Sequence, residues 1–374
     1  MSPCRPAENA GRSFCPWPFV HSRRRSSYSQ ALADPSRILI IRPSALGDVC
    51  RTVPALASLR ARFPGATIDW LVQDAFADAI RHHPALSGVV EFRRRELGRA
   101  LRSGRSAPLR EFLRSLRDRN YELVYDLQGL FRSGFFAWAT KAPRRVGLAN
   151  ARELGWLGLS ERYHVPMEMH SVDRMLEVIQ RSGVPVVKDM QLFAPPDAVS
   201  RLALDGEIAK FRFAILSPTS RWAAKRWPQA RFAAIARSLL ELNFERVVLV
   251  GAPDEREQCA ELINLSEVEP RIVDRIGRTS IADLMALTQA SSLVIANDSA
   301  VLHMAVGFGR PLIALYGPTD VSRVGPYQRS KDVLQHLHPG ESPSHKDSSG
   351  SAFMERISIS EVLDRVRALQ AAVA

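Results

Sequence analysis

Three observations predict an α/β chain of two doubly wound halves, each a parallel sheet clothed in helices. Short runs rich in Val, Ile and Leu recur from Arg37 to Tyr316, and turns and helix-spaced segments follow them, the alternation that builds parallel sheets. The Pro-containing stretch Pro185 to Pro196 interrupts this alternation, and a second run of it begins beyond. The 374 residues are enough to bury two cores.

Residues 1–36 are rich in Pro, Ser and Arg and include Arg23-Arg24-Arg25 with no apolar region behind it. They read as a disordered extension or a mis-assigned start, with no secretory or twin-arginine signal. The body opens with Arg37 to Arg42 as a buried strand, then the turn Pro43 to Asp48, then a helix to about Arg62 carrying Val53, Leu56, Leu59 and Phe63 at helical spacing. Further strands are expected at Thr67 to Val72, Val89 to Phe92, Glu122 to Leu127 and Arg145 to Leu148. Residues 37–190 form the first predicted domain.

The second domain, 191–357, starts with a short polar helix and the strand Arg212 to Leu216. Pro228 suits the first helical position before the stripe Phe232, Ile235, Leu239 and Leu240. Val247 to Val250 is a strand, and Ser280 with Asp283 caps a helix to Ala290. Leu293 to Ala296 leads through Asn297, Asp298 and Ser299 into another helix, and Pro311 to Tyr316 closes the sheet. Residues 328–350 are polar and read as a mobile loop, and 358–374 as an amphipathic terminal helix.

Composition excludes some classes. The apolar runs fall short of the roughly 20 residues a membrane span needs, and the four cysteines lack disulfide or metal spacing, as expected for a cytoplasmic protein. The formal charge of +12 comes from 51 basic and 39 acidic residues, but only six of the basic ones are Lys. That skew fits a codon bias, so abundant Arg is weak support for nucleic acid binding. Ten arginines between Arg93 and Arg119 face only Glu96, Glu111 and Asp118. They are either a solvated face or a dock for a phosphorylated or acidic acceptor at a membrane surface.

The candidate chemistry lies where strands end. A helix leaves its first N–H groups unpaired with partial positive charge, so the entrance Asn297-Asp298-Ser299 suits a pyrophosphate, and His303 lies one turn on along the same face. Lys225, in the loop Ser217 to Pro228, is a compact cation suited to a phosphate oxygen, although a surface lysine would read the same. Glu255 follows a strand and can bind ribose hydroxyls or be a plain loop carboxylate. Asp48 either caps the first helix or accepts a proton from an incoming hydroxyl. The first loop has a single Gly and so lacks the dinucleotide fingerprint. The sequence also lacks Asp-x-Asp, a Walker loop and a Gly-x-Ser-x-Gly elbow. No metal is therefore expected.

The ordered set Arg42-Pro43-Ser44-Ala45-Leu46-Gly47-Asp48, Asp126-Leu127-Gln128-Gly129-Leu130, Lys225-Arg226-Trp227-Pro228, Gly251-Ala252-Pro253, Asn297-Asp298-Ser299 with His303, and Tyr316-Gly317-Pro318-Thr319-Asp320 resembles glycosyltransferase family 9. These are the ADP-heptose:lipopolysaccharide heptosyltransferases, and the likeness is greatest to the heptosyltransferase I group. The resemblance spans about residues 37 to 330. It implies a GT-B architecture, two Rossmann-like domains about a cleft, with acceptor on the first and nucleotide sugar on the second. It places Asp48 on the catalytic base and Lys225 on the lysine at the leaving diphosphate. It places Thr219, Ser220, Glu255, Asp298, Ser299, Ala300 and His303 on the donor site, with Glu255 at the ribose. His170 and Arg174 match a shared His-x-x-x-Arg pattern without an assigned role. Two departures stand out: Asp298-Ser299-Ala300 replaces Asp-Thr-Gly, and Ala223 and Ala224 replace two acidic residues before the lysine.

The implied reaction is inverting and metal-independent, moving heptose from ADP-heptose to the Kdo region of the lipid A core. Arg42, Ser44, Arg132 and Arg152 are expected at the acceptor, and peripheral contact with the cytoplasmic face of the inner membrane is expected too. Three rivals stand beside it. One is a nucleotide-sugar epimerase of the same fold, the second a family 9 transferase acting on another glycan or on a protein, and the third a basic non-catalytic binder of nucleic acid or anionic lipid.

Overall fold

In the first half the strands are β1 Arg37–Ile41, β2 Thr67–Gln73, β3 Gly88–Phe92, β4 Leu123–Asp126, β5 Arg144–Leu148 and β6 Glu161–Tyr163. Between and after them run α1 Leu46–Arg51, α2 Val53–Arg62, α3 Arg94–Arg102, α4 Ala107–Asp118, α5 Phe131–Ala139 and α6 Ser171–Arg181. The second half comprises α7 Pro196–Ala203, β7 Phe213–Ser217, α8 Gln229–Glu241, β8 Arg246–Leu249, α9 Ala260–Val268, β9 Ile272–Asp274 and α10 Ile281–Ala290. It continues through β10 Leu293–Asn297, α11 Ala300–Gly307, β11 Leu312–Leu315, α12 Val321–Val324, β12 Val333–Leu334, α13 Ser351–Glu355 and α14 Ile359–Ala371. These come from a computed structural model that describes residues 34–338, 340–341 and 351–372. The reading of residues 1–36 falls almost wholly outside the described residues.

Each half holds one six-stranded parallel sheet, in the orders β3-β2-β1-β4-β5-β6 and β12-β11-β10-β7-β8-β9. The two orders are the same winding repeated. In each, the chain reverses direction across the sheet between two central strands, β1 beside β4 and β7 beside β10. Crevices at the carboxyl ends of such strand pairs are where ligands bind in open α/β sheets. The register brings Ile41 level with Asp126, and Ala296 level with Ser217. The loops that follow these strands therefore leave their sheets side by side.

Why these runs are strands is plain from burial. Ile38, Leu39, Ile40 and Ile41 are all fully buried, as are Val294, Ile295 and Ala296, because helices cover both sheet faces and no alternation with polar residues is needed. Pro35–Ala374 forms one compact unit. Within it the halves touch through α6 and the segment after α12: His170 Nε2 lies 3.1 Å from the Gly325 carbonyl, and the Tyr327 hydroxyl donates to Asp173 at 2.7 Å.

Several elements differ from the sequence reading. The helix expected to run unbroken to Arg62 is α1 and α2, which meet at Thr52, whose hydroxyl donates to the Asp48 carbonyl at 2.8 Å. Pro228 caps α8 from outside it. β6, β9 and β12 were not anticipated; each has two or three residues and ends or edges a sheet, too short to produce a periodic signal. Val333–Leu334 belongs to the segment read as a mobile loop, so its first part is an edge strand; 339 and 342–350 lie outside the described residues. The capping box at Ser280 and Asp283 is present, with the Asp283 amide donating to Ser280 Oγ at 3.1 Å.

Candidate active site

A cavity of about 370 Å³ opens at the carboxyl end of the second sheet. Its walls bring together Thr219, Ser220 and Lys225 from the loop after β7, Glu255 from the turn after β8, and Asp298, Ser299 and Ala300 at the entrance to α11. Sequence-distant residues meet there because β7, β8 and β10 are neighbours in the sheet. Fully buried Asn297 ties the loops together: its amide nitrogen donates to the Pro218 carbonyl at 2.6 Å, and its oxygen accepts from the Trp227 amide at 3.3 Å. Trp227 is in turn anchored through its indole N–H to the Ile357 carbonyl. This brace sets the backbone on both sides of Lys225.

Lys225 Nζ lies 2.5 Å from Asp298 Oδ2, an ion pair whose side chains are 14% and 11% exposed. The Thr319 hydroxyl donates to the same carboxylate at 2.9 Å. The ammonium is thus held at the mouth of α11, where the helix presents its free N–H groups. Ser299 Oγ lies 3.3 Å from Ser217 Oγ, and Glu255 accepts from the Ala252 amide at 3.0 Å. Tyr316, fully buried below this cluster, has its phenol pushed well above its ordinary pKa by burial and by the Asp298 charge.

Asp48 stands across from this wall. It is the third residue of α1, and it accepts the Ala45 amide at 3.3 Å, which is the capping role. It also binds two guanidiniums, Arg42 at 3.2 Å and Arg51 in closer contact. Burial disfavours its charge, but those two cations outweigh burial and hold the carboxyl well below the usual carboxylate range. Arg42 also donates to the Leu127 carbonyl, and the Arg51 guanidinium to the Val324 carbonyl at 3.0 Å. The carboxylate is therefore fixed between the two halves.

α1 packs directly on α11. A side chain on Gly47 would place its Cβ 2.8 Å from His303 Cδ2 and 3.6 Å from the Ala300 Cα, so only glycine allows this approach. Leu46, from the same turn, forms part of the wall of the cavity that holds Lys225 and Asp298. His303 is buried behind that wall, and its Nδ1 has no hydrogen-bond partner. Burial, and next the Arg51 charge, push its pKa down to about 3, so the imidazole is neutral.

Among the described residues, no group of three or more His, Cys, Asp and Glu side chains could hold a metal ion. Among the described residues, no helix is long and apolar enough to cross a membrane.

The family model for glycosyltransferase family 9 (heptosyltransferase) matches residues 109–352, more than half of the chain. The chain belongs to glycosyltransferase family 9. Lipopolysaccharide heptosyltransferase 1 of Pseudomonas aeruginosa is 28% identical over 313 residues, which are 79% of this chain and 82% of that protein. Two solved folds, each 23% identical, superpose on it: Escherichia coli ADP-heptose lps heptosyltransferase II at a TM-score of 0.73, covering 89% of this chain and 98% of that one, and Escherichia coli heptosyltransferase WaaC with ADP at 0.72, covering 89% and 99%. The likeness establishes the GT-B fold, and membership establishes a glycosyltransferase.

In this family 9 chain the expected acceptor residues are spread along the first sheet. The Ser44 amide donates to Gln128 Oε1 at 3.3 Å. Gln128 sits in a loop shaped by Asp126, which accepts from the Gln128 and Gly129 amides at 3.0 and 3.1 Å and from Ser133 at 2.9 Å. The Arg152 amide donates to the Gly129 carbonyl at 3.0 Å, and the Arg132 guanidinium lies over the Phe92 ring. Sequence reasoning missed Arg323 and found no role for Arg174. Burial, and then the charges of Arg323, Arg42 and Arg152, depress the Arg174 pKa. Four guanidiniums from both halves therefore share one electrostatic neighbourhood near Asp48. Arg42 and Arg152 were expected there, whereas Arg174 and Arg323 were hidden because each is an ordinary arginine in an Arg-rich chain. Trp222, Thr279 and Ser280 also line the cavity around Lys225 and were not singled out as site residues.

Proposed function

We propose that this glycosyltransferase moves a heptose from ADP-heptose to the Kdo or inner-core region of lipopolysaccharide, with inversion and without a metal. The reading rests on one observation: α1 brings Leu46 into the wall of the cavity bounded by Lys225, Glu255 and Asp298, while Asp48, two residues on, is paired with Arg42 and Arg51 of its own half, and Arg51 in turn reaches the Val324 carbonyl of the other half. The similarity to proteins named as lipopolysaccharide heptosyltransferases supports the substrate class, and one similar solved structure is described as holding ADP.

On this reading the second half binds the donor. Lys225, Thr219, Ser220 and the α11 amides after Asp298 face the diphosphate, and Glu255 faces the ribose. Their preorganised charge stabilises ADP as the bond from the anomeric carbon to the phosphate oxygen breaks. The first half binds the acceptor, with Arg42, Ser44, Arg132 and Arg152 joined by Arg174 and Arg323. An acceptor hydroxyl attacks from the face opposite ADP and passes its proton to Asp48. No covalent sugar intermediate is needed, so one carboxylate at that position suffices.

The two cations on Asp48 keep it ionised but make it a weak base. An acceptor carrying carboxylates or phosphates draws Arg42 and its neighbours toward itself, and the proton affinity of Asp48 then rises as the acceptor seats. Such an acceptor is lipid-linked, which fits a cytoplasmic enzyme in peripheral contact with the inner membrane.

The decisive experiment is a panel of ADP- and UDP-sugars scored for nucleoside diphosphate release with and without a Kdo-lipid A acceptor. Release from ADP-heptose that depends on the acceptor is expected. Equal conversion of a nucleotide sugar with no acceptor would favour an epimerase, and release that only a different glycan or protein stimulates would displace the acceptor.

A further inference from the structure

The α5 surface of the first half is anomalous for a chain of this composition. Phe131, Phe135 and Trp138 fall on one face of α5 at positions i, i+4 and i+7 and stack on one another, while Phe136 on the opposite face is buried in the core. Phe131 and Trp138 are 56% and 48% exposed, and the neighbouring Leu154 and Leu157 are 58% and 59% exposed. Together they border a shallow groove of about 310 Å³ whose walls are almost wholly apolar. A stripe of this kind on a surface helix normally has a partner.

The patch is built rather than incidental. A Cβ on Gly134 would lie 1.9 Å from the Gly155 carbonyl oxygen, and one on Gly158 would lie 1.9 Å from the Gly134 carbonyl oxygen. These glycines let α5 and the turn Gly155–Gly158 pack backbone to backbone, which fixes the aromatic and leucine side chains as one preformed ridge.

Its surroundings are cationic. Lys141 Nζ lies 3.6 Å over the Trp138 ring, and the Arg162 guanidinium 5.1 Å over Trp156. Arg132 on α5 feels the charge of Arg94, with Glu153 as the opposing carboxylate. Beyond them α3 and α4 carry Arg94, Arg95, Arg99, Arg102, Arg110, Arg114 and Arg117, all exposed, and none of these has an ion-pair partner among the described residues. Exposed Leu101 sits within that array.

We propose that the α5 ridge and the adjoining α3–α4 arginines form a docking surface for an anionic lipid bilayer. Trp and Phe rings insert at the headgroup boundary while the guanidiniums meet lipid phosphates. A second copy of this chain fits poorly, because a two-fold contact would bring both arginine arrays together. The ridge also adjoins the acceptor side: Gly155 packs against Leu130, the end of the loop whose Gln128 holds Ser44 and whose Leu127 carbonyl binds Arg42. An acceptor anchored in the bilayer is thereby presented beside Asp48. That last step rests on the transfer reading above; the docking itself does not.

The test is flotation of the full chain with vesicles of phosphatidylcholine, with and without phosphatidylglycerol, at two salt concentrations. Binding only to the anionic vesicles, and weaker in high salt, is expected. The variant F131S/W138S/L157S should lose at least about tenfold in apparent affinity, and Arg95→Glu with Arg99→Glu about tenfold as well. In both variants ADP binding by calorimetry should be unchanged, which reports the fold and the donor site separately. Equal flotation of wild type and the aromatic variant would overturn the proposal. So would a wild-type dimer in sedimentation that the same variant makes monomeric, or tight uptake of a single-chain lipid below its micelle concentration with no vesicle binding. Vesicle docking without any sugar transfer would leave this surface standing and sink only the transfer reading.

Discussion

Replacing Asp48 by alanine separates its chemical role from its structural one. The carboxylate is 27% exposed and binds Arg42 and Arg51, whose side chains are 12% and 9% exposed. Removing it leaves two nearly buried cations facing each other without a counter-charge. Because Asp48 itself is partly solvated, the expected stability loss is about 1–2 kcal/mol, below the 3–5 of a fully buried pair. The expected loss of turnover is roughly 100-fold or more, about 2.7 kcal/mol of barrier or greater, as for a missing general base. Asp48→Asn keeps an oxygen for the Ala45 amide, so it should lose as much turnover with a smaller drop in melting temperature. Turnover is read by ADP release with acceptor saturating, and ADP affinity by calorimetry. ADP affinity should hold within about threefold, since Asp48 does not line the cavity around Lys225 proposed to hold the donor. A parallel collapse of ADP affinity would refute the placement on the acceptor side, and turnover retained in Asp48→Asn would refute the base. Arg42→Gln removes one of the two cations that depress Asp48, so the acid limb of its kcat/KM profile should move to higher pH.

Lys225→Ala should weaken ADP binding by about 50-fold, because it removes a cation and leaves the Asp298 carboxylate, formerly 2.5 Å from it, to repel the diphosphate; Lys225→Ala with Asp298→Asn should recover part of that loss by calorimetry. Asp126 is buried, and burial pushes its carboxyl from 3.8 up to about 6 against the hydrogen bonds that favour its charge. A raised acid contributes stability that is full below the unfolded value of about 3.9 and is lost as pH rises through about 6. Asp126→Asn should therefore remove about 3 kcal/mol of stability decline between about pH 3 and 7, measured by urea unfolding across that range. Gly47→Ala should push α1 off α11 and cost about 1–3 kcal/mol of stability, with kcat/KM falling about tenfold; an unchanged melting temperature would mean the halves separate freely at that contact.

What could be read from the residues follows from what burial demands. Ile38 to Ile41 and Val294 to Ala296 must be central strands, since both sheet faces are covered and only apolar β-branched runs satisfy that. Asp48, Lys225, Glu255, Asp298 and Ser299 were visible because strand-end turns in such sheets carry ligand chemistry. Short edge strands such as Ile272–Asp274 and Val333–Leu334 were not, because so few residues bury too little to leave a pattern.

The sequence by itself determined two α/β halves and the strand-end loops that line the cavity around Lys225, because both are local: a strand, its turn and the helix that follows. Only the tertiary structure decided which charges meet. Arg42 and Arg51 act on Asp48, and Arg174 feels Arg323 from the other half together with Arg42 and Arg152, all through distance in space. The same holds for Lys225 with Asp298, for Gly47 beneath His303, and for the Gly134 and Gly155 contact that turns an ordinary aromatic helix into an exposed ridge. Coulomb energy and packing depend on separation through space, and separation along the chain does not report it.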